Sequence, residues 1–408
     1  MKIKVNKLLN WYIYIIPIFF LLRNMNLFPN SFYAGFILKE VVSVVLAFIG
    51  ILIFTVNRKT VKLFNLPKLS LLFYSLFIVA GLVSSIYFFK INVVIALKYY
   101  LFDFLITLIS VSVLIEYSNK RSLYNAIIRI AVFFSIGAIL QYIVLNLNII
   151  SFDKLQSYFQ IKIFLTRASF ILTNVNLLGL FLLISLVLSF HKKELLIKFI
   201  LLAGIIVTGS RLYLFLGILI FLASVFYQYK KPMNRIILVA FWASTIVFIL
   251  FQVSISSRIK SSIEDKKDPR FIIWGEVIKY NFETDHYIVG NGFGSIGTYY
   301  GVTSQIDRPV IYNNEVYAKS IKYTDNQFIT IFHETGILGL LFFLLFLLSN
   351  LIYSVKFLSN DEYIINILLQ FVIFIAALFG DVFFSFPILF IYILSIINTK
   401  HEKDTILS

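Results

Sequence analysis

The chain contains no cysteine, which removes disulfides, thiol nucleophiles and thiolate metal sites together. Histidine is scarce: His191, His286, His333 and His401 are the only four among 408 residues. They stand without ligand spacing, so nothing in the sequence requires a metal, and no cofactor is expected. Charge is short as well, at 14% of residues against 60% hydrophobic. A soluble globule carries about a quarter charged and about half apolar residues, so a soluble enzyme is excluded. Periodic repeats, low-complexity tracts and a recognisable soluble domain are all missing. The first apolar run, 8–22, is followed by RNMNLFPN rather than a small-residue cleavage site, and reads as a retained first helix.

What the sequence has instead is apolar runs. About 20 helical residues cross about 30 Å of hydrocarbon, and runs near 8–28, 32–55, 69–89, 94–116, 128–147, 171–190, 195–209, 211–229, 235–255, 328–353, 362–379 and 382–398 meet or approach that length. The expected fold is an all-α polytopic bundle of about twelve transmembrane helices, one membrane domain over 1–408. Lysine and arginine recur in alternate loops: Lys2/Lys4/Lys7, Arg58/Lys59/Lys62/Lys68, Lys120/Arg121/Arg129, Lys192/Lys193/Lys198, Lys230/Lys231/Arg235, Lys356 and Lys400/Lys403. By the positive-inside rule these loops and both termini are cytoplasmic. The net charge of +16 therefore reports topology and not nucleic acid. A long loop, 257–326, and a smaller one, 148–170, are expected outside. The long loop holds nine basic and nine acidic residues and is nearly neutral, which makes it no polybasic lipid patch.

The long loop concentrates the polar residues, so the chemistry is expected there. Soluble nucleotide donors belong to the cytoplasm, and a transferase acting outside needs a donor embedded in the membrane. The segment GNGFGSIG follows no strand of a βαβ unit and is not a dinucleotide site. Its glycines, Gly290, Gly292, Gly294 and Gly297, suit a tight turn or backbone amides lining a groove. A lipid-linked pyrophosphate would be met by arginines, whose fixed charge and forked donors fit phosphate. Arg167, Arg211 and Arg270 fall near the outer interface, and for Arg211 a snorkelling helix-end cation is the alternative. A transfer to a hydroxyl acceptor would need a base to take its proton. Asp325, His333 and Glu334 are the candidates, with an N-cap the plainer reading of Asp325 and a buried polar pair that of His333 and Glu334. Tyr99, Tyr100, Tyr299 and Tyr300 read first as interface-belt aromatics, with sugar stacking a second reading for Tyr299 and Tyr300. Lys98 and Asp103, five apart on one run, are poorly aligned for a same-helix ion pair.

Several short motifs fall in a recognisable order. Asp325-Asn326, nine residues and then Gly336-Ile337-Leu338-Gly339 resembles the closing motif of the membrane family containing O-antigen ligases and Wzy-type polysaccharide polymerases. In the ligases a histidine precedes the asparagine, where this chain has Asp325. Arg167-Ala168-Ser169 followed by Thr173-Asn174-Val175-Asn176-Leu177-Leu178-Gly179 is similar to the family's Arg…Asn-Pro-Asn…Gly element, with Val175 at the proline. Thr208-Gly209-Ser210-Arg211 is similar to its Ser-Arg element, and Arg270…Trp274 followed by GNGFG to its Arg-x-x-x-Trp and Gly-x-Gly segment. The resemblance covers roughly 165–345. It implies a glycosyltransferase of the bacterial cytoplasmic membrane that joins undecaprenyl-pyrophosphate-linked oligosaccharides without a nucleotide-sugar donor. A ligase, or a lipid-linked oligosaccharide flippase, is the alternative. The expected catalytic residues are Asp325, Arg211, Arg270, His333 and Glu334. Arg167, Asn174, Asn176, Trp274, Gly292, Gly294, Tyr299 and Asn326 are expected to bind substrate. Expected partners are the lipid-linked glycans, membrane lipids, and flippase and chain-length regulator proteins.

Overall fold

The computed structural model describes residues 66–87, 93, 97–117, 120–146, 175–190, 192–228, 269–299, 302–312, 315–357, 360–380 and 383–397. The expected spans 8–28, 32–55 and 235–255, the loop 148–170 and both termini lie outside them. Over the length expected as one membrane domain, the chain forms two compact units. One comprises Met1–Pro29 and Lys120–Lys266, the other Asn30–Asn119 and Lys267–Ser408.

The first unit contains α3 (Lys120–Asn146), α4 (Val175–Leu188), α5 (Leu195–Val207) and α6 (Arg211–Gln228). Helix α4 is apolar on every side and buried almost throughout, the pattern of a helix at the centre of a bundle. It packs against α3, α5 and α6. Lys198 is buried on α5, where its Nζ donates to the Phe190 carbonyl at 3.2 Å. That carbonyl lies just beyond α4, where unsatisfied helix-end oxygens favour a cation.

The second unit contains α1 (Lys68–Tyr87), a π-helix (Lys98–Phe102) leading into α2 (Asp103–Tyr117), then α7 (Pro269–Glu283). Two antiparallel hairpins follow, β1 (Gly297–Tyr299) with β2 (Val302–Ser304), and β3 (Val310–Tyr312) with β4 (Glu315–Ala318). The unit closes with α8 (Gln327–Phe357), α9 (Asn360–Leu378) and α10 (Phe386–Ile396). Helix α1 packs along α8, α9 beside α8 and α10, and α10 on α2. Among the described residues, helices occupy nine of the expected spans. Four of them, Lys68–Ile86, Lys120–Val144, Arg211–Gln228 and Gln327–Val355, are long and apolar enough to cross a membrane.

Three local expectations are corrected. The expected all-α fold carries two short hairpins in its long loop, tied together by an isolated bridge, Ile306 to Ile321. Val277, Ile296, Ile306, Val310 and Ile321 form a small core beneath α7. Residues alternating in and out of that core make strands. The span at 328–353 is not one continuous helix, because Gly336 breaks α8 with φ 65° and ψ −168°. Tyr100 is no belt aromatic: it is fully buried, its ring 4.8 Å from that of Phe293.

Candidate functional site

The break in α8 and the glycine turn are made for each other. Gly290, Gly292, Gly294 and Gly297 all have positive φ, which glycine adopts without steric cost. The turn lies so close to the break that a Cβ on Gly290 would overlap the Gly336 nitrogen, and one on Gly336 the Ile288 carbonyl. An interrupted helix leaves carbonyls on one side and amides on the other without partners. Here the turn satisfies both. Asn291 N and Gly292 N donate to the carbonyls of His333 and Glu334 at 2.9 Å each, and Ile337 N donates to the Tyr287 carbonyl at 2.8 Å.

Glu334, the next-to-last residue before the break, is fully buried. Its carboxylate accepts from Tyr100 Oη at 2.7 Å on one oxygen and from Gly294 N at 2.9 Å on the other. Ser84 Oγ on α1 donates to its carbonyl at 3.0 Å, and neighbouring Ser85 Oγ accepts from Phe293 N at 2.9 Å. Four segments, α1, the π-helix, the turn and α8, therefore meet at one glutamate. Single π turns often occur at functional sites. The amides of Gly292 and Gly294, expected to meet substrate, are both directed at Glu334.

His333 is buried on the adjacent position and belongs to a second network. Its Nδ1 is 2.7 Å from Asn281 Oδ1. Asn281 Nδ2 donates to the Phe332 carbonyl at 3.2 Å, Asn291 Nδ2 donates to Asn281 Oδ1 at 3.0 Å, and Asn291 Oδ1 is 2.7 Å from His286 Nδ1. Buried polar groups are costly unless partnered in this way.

Where the loop enters α8, the cap is Asn326 and not Asp325. Asn326 Oδ1 accepts from Phe328 N at 2.9 Å and Ile329 N at 3.2 Å. This corrects the capping alternative for Asp325, which has φ 49° and is exposed. Left-handed backbone is uncommon outside glycine, though aspartate tolerates it. Trp274 holds the approach to this corner: its indole Nε1 donates to the Thr324 carbonyl at 2.6 Å, and Thr324 Oγ1 donates to the Asn326 carbonyl at 2.9 Å. Arg270 lies four residues before Trp274 on α7, hence one turn away on the same face. At the solvent side Arg308 joins Glu276 and Glu283, each at 2.5 Å. Its hydrogen bond is the main reason the Glu283 carboxyl lies below its ordinary value.

The second unit thus brings Arg270, Trp274, Gly292, Gly294, Asp325, Asn326, His333 and Glu334 into α7, the turn and the head of α8. Tyr299 ends β1. Arg211 belongs to the first unit, exposed at the start of α6 after a turn at Gly209 with φ 62°. Asn176 is exposed on α4, and Arg167 and Asn174 fall outside the described residues. Sequence reasoning missed Tyr100, Ser84, Ser85, Asn281, Asn291 and His286 as network members. Only Asn291, set between glycines, carried a visible signal. Among the described residues no group of three or more carboxylates and histidines is placed to hold a metal ion.

Residues 196–344 match the family model described as O-antigen ligase. The matched region runs from α5 through the glycine turn and the head of α8. No curated protein matches the chain. The apolar helices together with this similarity identify a multi-pass membrane protein.

Proposed function

We propose that the chain is a polysaccharide repeat-unit polymerase of the bacterial cytoplasmic membrane, joining undecaprenyl-pyrophosphate-linked oligosaccharides on the outer face. The observation that carries this reading is the corner at Asp325. Capping by Asn326 relieves the aspartate of that task, and the residue sits, exposed, where the ligases have histidine. In the proposed step the terminal hydroxyl of one lipid-linked unit attacks the anomeric carbon of the growing chain. Its proton passes to Asp325, the new glycosidic bond forms, and the anomeric carbon–phosphate oxygen bond breaks. The electron pair leaves with undecaprenyl pyrophosphate, and a single displacement of this kind inverts the anomeric centre. Arg270 meets the departing charge, as forked donors suit phosphate. By sequence similarity alone, Arg211 and Arg167 share that task. A flippase that delivers substrate and a chain-length regulator are the partners such an enzyme calls for.

The test is reconstitution of the purified protein with a lipid-linked repeat unit, without added nucleotide or metal. A ladder of longer lipid-linked glycans is expected, and substrate crossing the bilayer unextended would sink the proposal. Arg270→Ala should lower elongation by about 100-fold or more, the usual effect of losing a transition-state charge partner, while membrane-inserted protein stays at wild-type level. Asp325→His distinguishes ligase from polymerase: transfer of finished polymer to a second acceptor by the variant, with no ladder, would mark the aspartate as the residue that decides.

A further inference from the structure

We infer that Glu334 is a positioning residue of this site, not its general base: its carboxylate fixes the turn 290–294 in the break of α8. Three observations converge on it. The group is fully buried. Both oxygens already accept, one from the Tyr100 hydroxyl at 2.7 Å and the other from the Gly294 amide at 2.9 Å. Its own carbonyl takes two further donors, Ser84 Oγ at 3.0 Å and Gly292 N at 2.9 Å. A base must reach the proton that it removes within about 3 Å or through one water, and a buried carboxylate that already accepts on both oxygens from two other segments, the π-helix and the turn, is directed inward instead. The arrangement also places demands on residues outside the loop. Tyr100 reaches Glu334 from the π-helix, and Phe293, the residue between the two glycine amides, is held by Ser85 Oγ at 2.9 Å.

The geometry separates two kinds of substitution. Glutamine retains both links, because its carbonyl oxygen still accepts from Gly294 N–H and its amide donates to the phenol oxygen, which accepts as well as it donates. Leucine loses both. The absence of native cysteine makes a single probe clean: Ser295, next to Gly294, keeps its Oγ buried, so labelling of Ser295→Cys in intact membranes with a membrane-impermeant maleimide reads how readily the turn opens. In that background, Glu334→Leu should label at least about tenfold faster, as expected when two hydrogen bonds to a buried group are removed. Glu334→Gln should stay near the parent rate, with Tyr100→Phe between them.

The activity arm rests on the polymerase reading. Glu334→Gln should keep elongation within about tenfold, whereas loss of a general base costs about 10²- to 10⁴-fold. A Gln variant as inactive as the Leu variant, yet labelled at the parent rate, would overturn the positioning role and make Glu334 a reacting group. A Leu variant labelled at the parent rate would overturn the fixing of the turn. If the parent makes no ladder, the polymerase reading fails, and the labelling rates still decide what Glu334 holds.

Discussion

From Gln327 to Thr335 the first part of α8 turns Gln327, Thr330, His333, Glu334 and Thr335 inward, all of them buried. From Ile337 to Val355 the second part exposes Ile337, Leu338, Leu341, Leu348, Ile352 and Val355, each by 43% or more. One continuous stretch of chain is thus built by opposite rules on the two sides of Gly336. The second part follows the requirement of lipid, which tolerates apolar side chains outward and asks polar ones to pair inward. Its few buried polar groups do pair, as Ser349 with Ser70 at 2.8 Å and Asn350 with Tyr392 at 2.9 Å show. The first part is polar where segments outside the helix supply partners that lipid does not: the glycine turn for His333 and Glu334, and Thr324 for Thr330. Polarity within an apolar span therefore marks where another segment enters.

The largest expected effect comes from erasing the boundary. Gly336→Ala combines about 1–3 kcal/mol of strain, at a φ of 65° and ψ of −168° that essentially only glycine adopts, with an overlap against the Ile288 carbonyl. It should cost roughly 3 kcal/mol or more in total, read as loss of monodisperse protein after detergent extraction. Wild-type yield and melting temperature would show the two parts to be one helix. Next is Asn281→Ala, which removes the acceptor of His333 Nδ1 and one of the two acceptors of Asn291 Nδ2. A loss of about 1–3 kcal/mol is expected from the orphaned partners, measured as a lower melting temperature. An unchanged value would remove the network from the contrast.

A smaller effect is expected at the solvent side of the loop. The Arg308 hydrogen bond holds the Glu283 carboxyl below its ordinary value, so the folded state favours the ionised form. Its stabilisation is complete above the unfolded value of about 4.3 and is lost as pH falls through the lowered folded value. Arg308→Met should therefore lower the melting temperature slightly at pH 7, and the difference from the parent should shrink below about pH 4. A difference that instead grows in acid would contradict the assignment. The smallest effect belongs to the apolar part: Leu348→Ala, half exposed at 50%, should change stability by no more than about 0.5 kcal/mol. A loss of the size seen in buried cores, about 2–5 kcal/mol, would mean that a protein surface covers it.

The spans were legible because length and hydropathy alone decide them: the run expected at 69–89 is a helix over Lys68–Tyr87, and that at 211–229 over Arg211–Gln228. The hairpins were overlooked although Val310-Ile311-Tyr312, two asparagines and Glu315-Val316-Tyr317 carry the alternation and the turn residues that strands require. The weight of apolar helix around them hid it. Residue order predicted the neighbourhood of Asp325, Asn326 and His333, but not the division of labour. Aspartate and asparagine cap equally well by propensity, and only the backbone twist at Asp325 passes the cap to its neighbour. The break could not be read at all. Glycine inside an apolar helix is usually tolerated, and what forbids continuation is the close approach of the turn at Ile288, Val289 and Gly290, well separated from Gly336 in the chain.

The Phe332 carbonyl has one further effect, on where hydrogens reside. A carbonyl only accepts, so the Asn281 group facing it at 3.2 Å must be the NH2, and Asn281 Oδ1 faces His333 and Asn291. His333 Nδ1, 2.7 Å from that oxygen, then carries hydrogen, and Asn291 presents its own NH2 to the same oxygen. Asn291 Oδ1 is thereby left to face His286 Nδ1, which must carry hydrogen too. The 3.3 Å approach of Asn291 Nδ2 to His333 Nδ1 sets two donors side by side. A single backbone oxygen thus places hydrogen on Nδ1 of two neighbouring imidazoles.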